Sequence, residues 1–287
     1  MDVAGKRKRM REILAGDLCV TPASVFDPLS ARAADELGYD MMLLGGSVAS
    51  LAILGAPDLT LVTLTELAEQ TRRICRSSKL PLMIDADHGF GNALNVMRTV
   101  QELESAGAAA LSIEDTLLPS GFDQERTQAV SIDEGAGKLR AAVAARSDSA
   151  LVIIGRTGAV SSSGLEDALS RIELYQTLGI DGLFLSGLRS KEELRQCAKA
   201  AQIPLLLGGV GVELSDAEFL RSLGVRMIVR GHQPYMEAVK AAYDSLRTMR
   251  EGPGSRDSKV ALPAADLVKR LNGAAEFDSW IKAYLRS

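Results

Sequence analysis

Eight short, continuous apolar runs constrain this 287-residue chain more than any other feature. They are Leu18–Thr21, Asp40–Leu44, Pro81–Asp85, Ala108–Glu114, Leu151–Arg156, Gly182–Ser186, Ile203–Leu207 and Arg226–Arg230. A strand with one solvated face alternates apolar and polar residues, and these do not. A strand apolar on both faces belongs to a parallel sheet covered by helices. Helical stretches separate the runs, at 28–37, 63–77, 92–106, 133–146, 164–178, 190–201, 215–222 and 234–250. The first of these shows the pattern best: Asp27 is a capping residue, Pro28 takes the first helical position, and Gly38 closes the helix.

Eight such units predict a closed (β/α)8 TIM-type barrel rather than an open sheet. Residues 5–16 form a polar amphipathic N-terminal helix packed across one end of it. Leu18–Thr21 is the first strand, 22–27 a loop, and Gly45-Gly-Ser47 the turn after the second strand. Residues 1–251 are expected to be the barrel domain. Residues 252–287 hold a linker, Gly252–Ser258, and two C-terminal extension helices near 262–271 and 276–285. Helices beyond a complete barrel have no core of their own, so they must dock on this subunit or on a partner.

Composition narrows the function. The chain is 46% hydrophobic and 24% charged, which suits a soluble globular protein with a sizeable core. A net charge of −4 provides no field for nucleic acid or an anionic membrane, and one Trp provides no base-stacking platform. No apolar run is long enough to span a bilayer, and the start of the chain lacks a signal-peptide core. Cys19, Cys75 and Cys197 are far apart and sit among apolar or helical neighbours, as small core residues of a reducing, cytoplasmic protein do. The basic run Lys6-Arg-Lys-Arg9 is expected to be the solvated face of the first helix.

Active sites in these barrels lie at the C-terminal ends of the strands. Those positions here are Ser47, Asp85, Asp87 with His88, Glu114, Asp115, Arg156, Ser186 and His232; the chain has only two histidines and both fall among them. Asp85 and Asp87 lie two apart, so in an extended chain both point to one side. Two close like charges call for a cation between them or a proton on one. Carboxylates without a Cys/His cluster suit Mg²⁺, or Mn²⁺, rather than zinc. Such a metal acts as a Lewis acid on a carbonyl or enolate oxygen. Arg156 offers a planar fork to a substrate carboxylate, and backbone N–H groups around Gly46 and Ser47 offer a cradle to an anionic oxygen. The substrate class implied is a small polyanionic 2-oxo acid. Gly208-Gly-Val-Gly211 fits a phosphate-approaching loop and a tight βα turn equally well.

Several of these segments resemble the isocitrate lyase/phosphoenolpyruvate mutase superfamily. They are Ser24-Val-Phe-Asp-Pro-Leu-Ser-Ala-Arg32, Gly45-Gly-Ser-Val-Ala-Ser50, Asp85-Ala-Asp-His-Gly-Phe-Gly-Asn92 and Ile113-Glu-Asp115. The stretch from Asp85 to Pro119, together with Gly231-His232, is similar to the oxaloacetate decarboxylase branch, and the likeness covers most of residues 20–250. The resemblance implies Asp85 as a direct Mg²⁺ ligand, with Asp87 and Glu114 holding the metal through water. It also implies Ser47, Arg156 and His232 as substrate-binding residues, with Arg156 and His232 catalytic and His232 orienting a departing carboxylate. The activity implied is that of a carboxy-lyase, converting oxaloacetate to pyruvate and CO₂ through a metal-stabilised enolate. The alternatives are another 2-oxo or 2-hydroxy acid C–C lyase (methylisocitrate-lyase-like) and a non-catalytic binder of dicarboxylates such as oxalate. A homotetramer with C-terminal helices swapped between subunits is implied as well. Three departures stand out. The segment 117–126 lacks the cysteine of the superfamily's C–C lyases; strand five reads Gly155-Arg-Thr-Gly-Ala159 where the family has an asparagine; and 207–212 differs from the branch.

Overall fold

The computed structural model describes residues 2–123, 127–251 and 262–286. Its first half runs α1 (Val3–Ala15), β1 (Ala23–Ser24), α2 (Pro28–Glu36), β2 (Met42–Leu44), α3 (Gly46–Leu54), α4 (Leu64–Ser77), β3 (Leu82–Asp85), α5 (Ala93–Ser105), β4 (Ala110–Glu114) and α6 (Ile132–Ala145). The second half runs β5 (Val152–Thr157), α7 (Ala159–Ser162), α8 (Leu165–Tyr175), β6 (Gly182–Ser186), α9 (Lys191–Ala200), β7 (Leu205–Gly208), α10 (Ala217–Ser222), β8 (Val225–Val229) and α11 (Gln233–Glu251). Beyond residue 261 come α12 (Ala265–Leu271) and α13 (Ala274–Tyr284). The linker expected at Gly252–Ser258 lies outside the described residues.

The eight strands pair in sequence order, all parallel. Val20 completes the ring: its N–H donates to the Arg226 carbonyl at 2.9 Å, and its carbonyl accepts from Ile228 at 3.0 Å. The expected (β/α)8 barrel is therefore the fold. Alternation of side chains explains why each strand had to be apolar throughout. Leu43, Met83, Ala110, Ile154, Leu206 and Met227 point inward and form one buried cluster with Met10, Ile13 and Leu14 of α1, which plugs the bottom. Their neighbours Leu44, Ile84, Leu111, Ile153, Leu185 and Leu207 point outward to the helices. Each such side chain contributes about 1.5–3 kcal/mol by leaving water.

Four local expectations need correction. The first strand is Ala23–Ser24, and 18–21 contributes only the Val20 bridge. Gly45-Gly-Ser47 is not a plain turn: Gly45 is the N-cap of α3 and Ser47 lies in its first turn. The apolar stretch after Ser47 has no polar face, so amphipathic periodicity could not reveal that helix. A short helix, α7, fills the loop after β5. The basic run of α1 is not wholly a solvated face, because Lys6 and Arg7 are buried. Lys6 Nζ donates to the Cys75 carbonyl in the last turn of α4, and Arg7 Nη2 to that of Glu104 in the last turn of α5, at 2.8 Å. Helix C-termini leave carbonyls unsatisfied and carry partial negative charge, so cations of α1 seal the bottom of the barrel.

No helix among the described residues is long and apolar enough to cross a membrane. Helix α11 contains no buried residue, and Met236, Val239, Tyr243, Leu246 and Met249 form an exposed apolar stripe at three- and four-residue spacing. Helix α12 touches α2 through Arg32, which donates to the Leu271 carbonyl at 3.1 Å, and through an Arg270–Glu36 ion pair at 3.1 Å.

Candidate active site at the C-terminal rim

The register of β3, β4 and β5 sets Asp85 beside Ser112 and Glu114 beside Arg156. Because inward positions recur every second residue, Asp85, Glu114 and Arg156 all cap the barrel interior. Arg156 Nη1 donates to Asp85 Oδ2 at 2.6 Å. Its Nε lies 3.1 Å from Glu114 Oε2 in an ion pair, but without hydrogen-bond alignment, and that N–H is buried without a partner. The guanidinium also stands over the Phe184 ring, 5.3 Å from its centre, so its lower face is dry. Burial works against the Arg156 charge, yet Asp85 and Glu114 more than offset it and hold its pKa above the usual value.

Asp87 joins this group after β3 has ended. It sits in the left-handed region at φ 47°, where a short polar residue is tolerated. The Glu114 N–H donates to its carbonyl at 2.8 Å, tying the two loops together. Its carboxylate lies against the start of α3: a Cβ on Gly46 would fall 2.5 Å from Asp87 Oδ1, so only glycine permits the approach. The same holds one residue earlier, where a Cβ on Gly45 would fall 2.7 Å from His232 Cε1. His232 Nδ1 is 2.7 Å from Ser24 Oγ, which fixes the ring.

A cavity of about 300 Å³ opens over these residues, lined by Asp58, Asp85, Asp87, Glu114 and Arg156 on its charged side. Five acids line it, these four and Asp115, against Arg156 as the one guanidinium among its described lining residues. The imbalance has visible consequences. Burial, then Asp85, Glu114 and Asp58, push Asp87 up to about 8 against the pull of Arg156. Burial also raises Glu114, with Arg156 opposing and Asp85 adding to the rise. Asp58 is raised by burial and by Asp85. Burial lowers His232, against the pull of Asp85 and Asp58.

Asp58 was not singled out in the sequence. Its signal was faint: a lone acid after Gly55-Ala-Pro57 in a loop with no strand end to mark it. Ser24 opens one of the segments that carry the resemblance, but nothing local marked its contact with His232. Conversely, His88 is not among the described lining residues, and Asp115, which borders the cavity, directs its side chain elsewhere. Asp115 turns to the helical layer, where it pairs with Arg171 at 2.9 Å. His88 is buried; its carbonyl accepts from Lys138 at 3.1 Å, while burial and Lys138 lower its pKa to about 4. Ser47 is half-buried in α3, and Gly208–Gly211 leads into a short 3₁₀ turn, with positive φ at Gly209.

Among the described residues no three His, Cys, Asp or Glu side chains stand as a ready metal cluster. Asp85 and Glu114 are turned onto Arg156 instead. The donor set is nonetheless all oxygen and carries more negative charge than Arg156 can balance, which fits a hard divalent cation and not a soft one. The close approach of Asp87 to Gly46 and its raised pKa are what a carboxylate lacking a counter-charge looks like.

Comparison with known proteins bears on this geometry. The family model of phosphoenolpyruvate phosphomutase matches residues 11–250. An oxaloacetate decarboxylase of Bradyrhizobium sp. (strain ORS 278) is 49% identical over 280 residues, covering 98% of this chain and 97% of that protein. A solved structure of oxaloacetate acetylhydrolase with the inhibitor 3,3-difluorooxalacetate is 29% identical, with a TM-score of 0.86 over 98% of both chains. One of phosphonopyruvate hydrolase with oxalate and Mg²⁺ is 28% identical, with a TM-score of 0.86 over 99% of this chain and 100% of that one.

Proposed function

The chain belongs to the phosphoenolpyruvate phosphomutase family and is an enzyme of the lyase type, and on that premise we propose that it decarboxylates oxaloacetate to pyruvate and CO₂ with Mg²⁺. The observation that carries the reading is the acidic cavity, with Arg156 wedged between Asp85 and Glu114 and no second cation among the described lining residues. Asp85 would ligate the metal directly and Asp87 and Glu114 through water, with Mn²⁺ as an alternative ion. When bound, the metal supplies positive charge where that of the enolate oxygen develops.

The chain's own residues do the rest. Arg156 exchanges part of its carboxylate pairing for a substrate carboxylate, which suits its fork. Ser47 and the backbone N–H groups that open α3 hold the oxo-acid end, since a helix N-terminus favours an anion. His232, fixed through Nδ1 by Ser24, turns its other edge toward that end. The C3–C4 bond breaks, its electron pair becomes the C2–C3 enolate, and C4 leaves as CO₂. Water supplies the proton to C3, so the lack of a cysteine in 117–126 is no obstacle.

Purified protein mixed with oxaloacetate and Mg²⁺, with and without EDTA, tests this; pyruvate no faster than in a protein-free Mg²⁺ blank sinks it. A substrate panel separates another C–C lyase, and oxalate-dependent stabilisation without any turnover identifies a non-catalytic binder.

Residues 1–251 are proposed as the catalytic barrel and 252–287 as an oligomerisation extension. The exposed stripe of α11 supports burial in a homotetramer with exchanged C-terminal helices, and a monomer in sedimentation would refute it. A cytoplasmic location accords with three unpaired cysteines.

A further inference from the structure

The cavity has a second side, at the ends of β5 and β6, with no charged group. Two glycines build it. A Cβ on Gly187, at φ 79°, would fall 2.6 Å from Ser161 Oγ, so the Ser161 side chain lies directly on the end of β6. A Cβ on Gly158 would fall 3.2 Å from Ser186 Oγ, so the space above Gly158 is open up to that hydroxyl. Ser161 and Ser162 each donate to the Gly158 carbonyl, at 3.0 and 3.3 Å. The Ser186 hydroxyl has no hydrogen-bond partner among the described residues, and all three serines line the cavity. The result is a shelf of neutral hydroxyls facing the acidic wall.

We propose that this shelf of Ser161, Ser162 and Ser186 over Gly158 seats the distal, departing carboxylate of a dicarboxylic 2-oxo acid. The inference rests on the decarboxylase reading and names a subsite within it. Two physical arguments lead there. The acidic wall repels a second carboxylate, and among the described lining residues Arg156 is the one cation and already stands against Asp85 and Glu114, which favours the opposite side for the distal group. The reaction itself selects neutral donors. The C4 carboxylate loses its charge as CO₂ forms, so a cation there would stabilise the ground state more than the transition state and slow the step. The Ser186 hydroxyl, whose proton is uncommitted, donates to the group and gives it up more readily than a cation would. Ser161 and Ser162, turned onto the Gly158 carbonyl, form the neutral floor beneath it.

The test uses the Mg²⁺-loaded full chain and compares oxaloacetate with oxalate, which has no distal arm. Ser186→Ala should raise the oxaloacetate KM about tenfold, the loss of one hydrogen bond, while oxalate inhibition and thermal stability stay within twofold and a few degrees. Ser186→Lys should lower KM yet reduce kcat about tenfold or more, a split that a merely structural residue would not produce. Gly158→Asn should exclude oxaloacetate more than oxalate. Equal weakening of oxalate and oxaloacetate by Ser186→Ala, or an unchanged or raised kcat in Ser186→Lys, overturns the seat and leaves the decarboxylase reading standing. Wild-type protein that forms no pyruvate overturns both.

Discussion

Glu114 and Asp115 are consecutive acids at the end of one strand, and they meet opposite fates. The Asp115 side chain faces outward into a buried network through its Oδ2. Arg171 Nη1 donates to its Oδ2 at 2.9 Å, Tyr175 Oη donates to the same oxygen at 3.0 Å, and Arg171 Nη2 donates to the Val130 carbonyl at 2.9 Å. Arg171 also pairs with Asp167 at 2.8 Å. The network holds both ends of the 116–131 segment, since the Val130 N–H donates to the Asp115 carbonyl at 2.8 Å. Glu114 faces inward and shares one arginine with Asp85, beside Asp87 and Asp58. One acid has an arginine and a tyrosine hydroxyl on one oxygen, with the other oxygen buried and unpartnered, whereas the other stands among charges that the described lining leaves in excess. Balance marks architecture here, and imbalance marks the site that takes a ligand.

Substitutions can break that contrast. The largest effect is expected at Asp85. Asp85→Ala should cut Mg²⁺-dependent turnover roughly 10³-fold, as losing about 4 kcal/mol of transition-state stabilisation does. Circular dichroism should be unchanged, and a folded variant with near-native turnover would remove Asp85 from the site. Asp115→Ala should do the reverse. It leaves the Tyr175 hydroxyl and part of the Arg171 charge buried and unmatched, at a cost of about 3 kcal/mol. Denaturant melts would detect that loss; an unchanged midpoint would mean the network is idle.

Asp87→Asn sharpens the contrast by moving stability and function in opposite directions. Removing one of these clustered like charges should raise the metal-free stability by about 1 kcal/mol while weakening Mg²⁺ retention. Paired melts in EDTA and in Mg²⁺ would show it, and a lower midpoint in EDTA would contradict it. The smallest effect is expected for Tyr175→Phe, about 1 kcal/mol for one buried hydrogen bond. Its kcat should stay within about twofold, because Arg171 still holds Asp115; a large kcat loss would tie the outer network to catalysis.

Much of this was legible from residues alone. Eight apolar runs forced strands buried on both faces, Asp27 and Pro28 opened α2, and carboxylates at the ends of two adjacent runs marked the rim. Those signals are local: capping, turn chemistry and a period of two act within a few residues. Other features had no local signature. Helix α3 is apolar on all sides, and β1 is two residues long and defined by its partners. The basic run of α1 looked solvated until α4 and α5 ended above it, with carbonyls to satisfy.

The sequence by itself determined the barrel, its handful of rim acids and the excess of negative charge among them. Only the tertiary structure decided who meets whom. The β4–β5 register gives Arg156 to Glu114 and Asp85, a long loop delivers Asp58, and two glycines let serines form a neutral shelf opposite. Strand periodicity tells which side a residue faces. It cannot tell which residue of another strand stands there, because that depends on a register fixed by packing the whole ring.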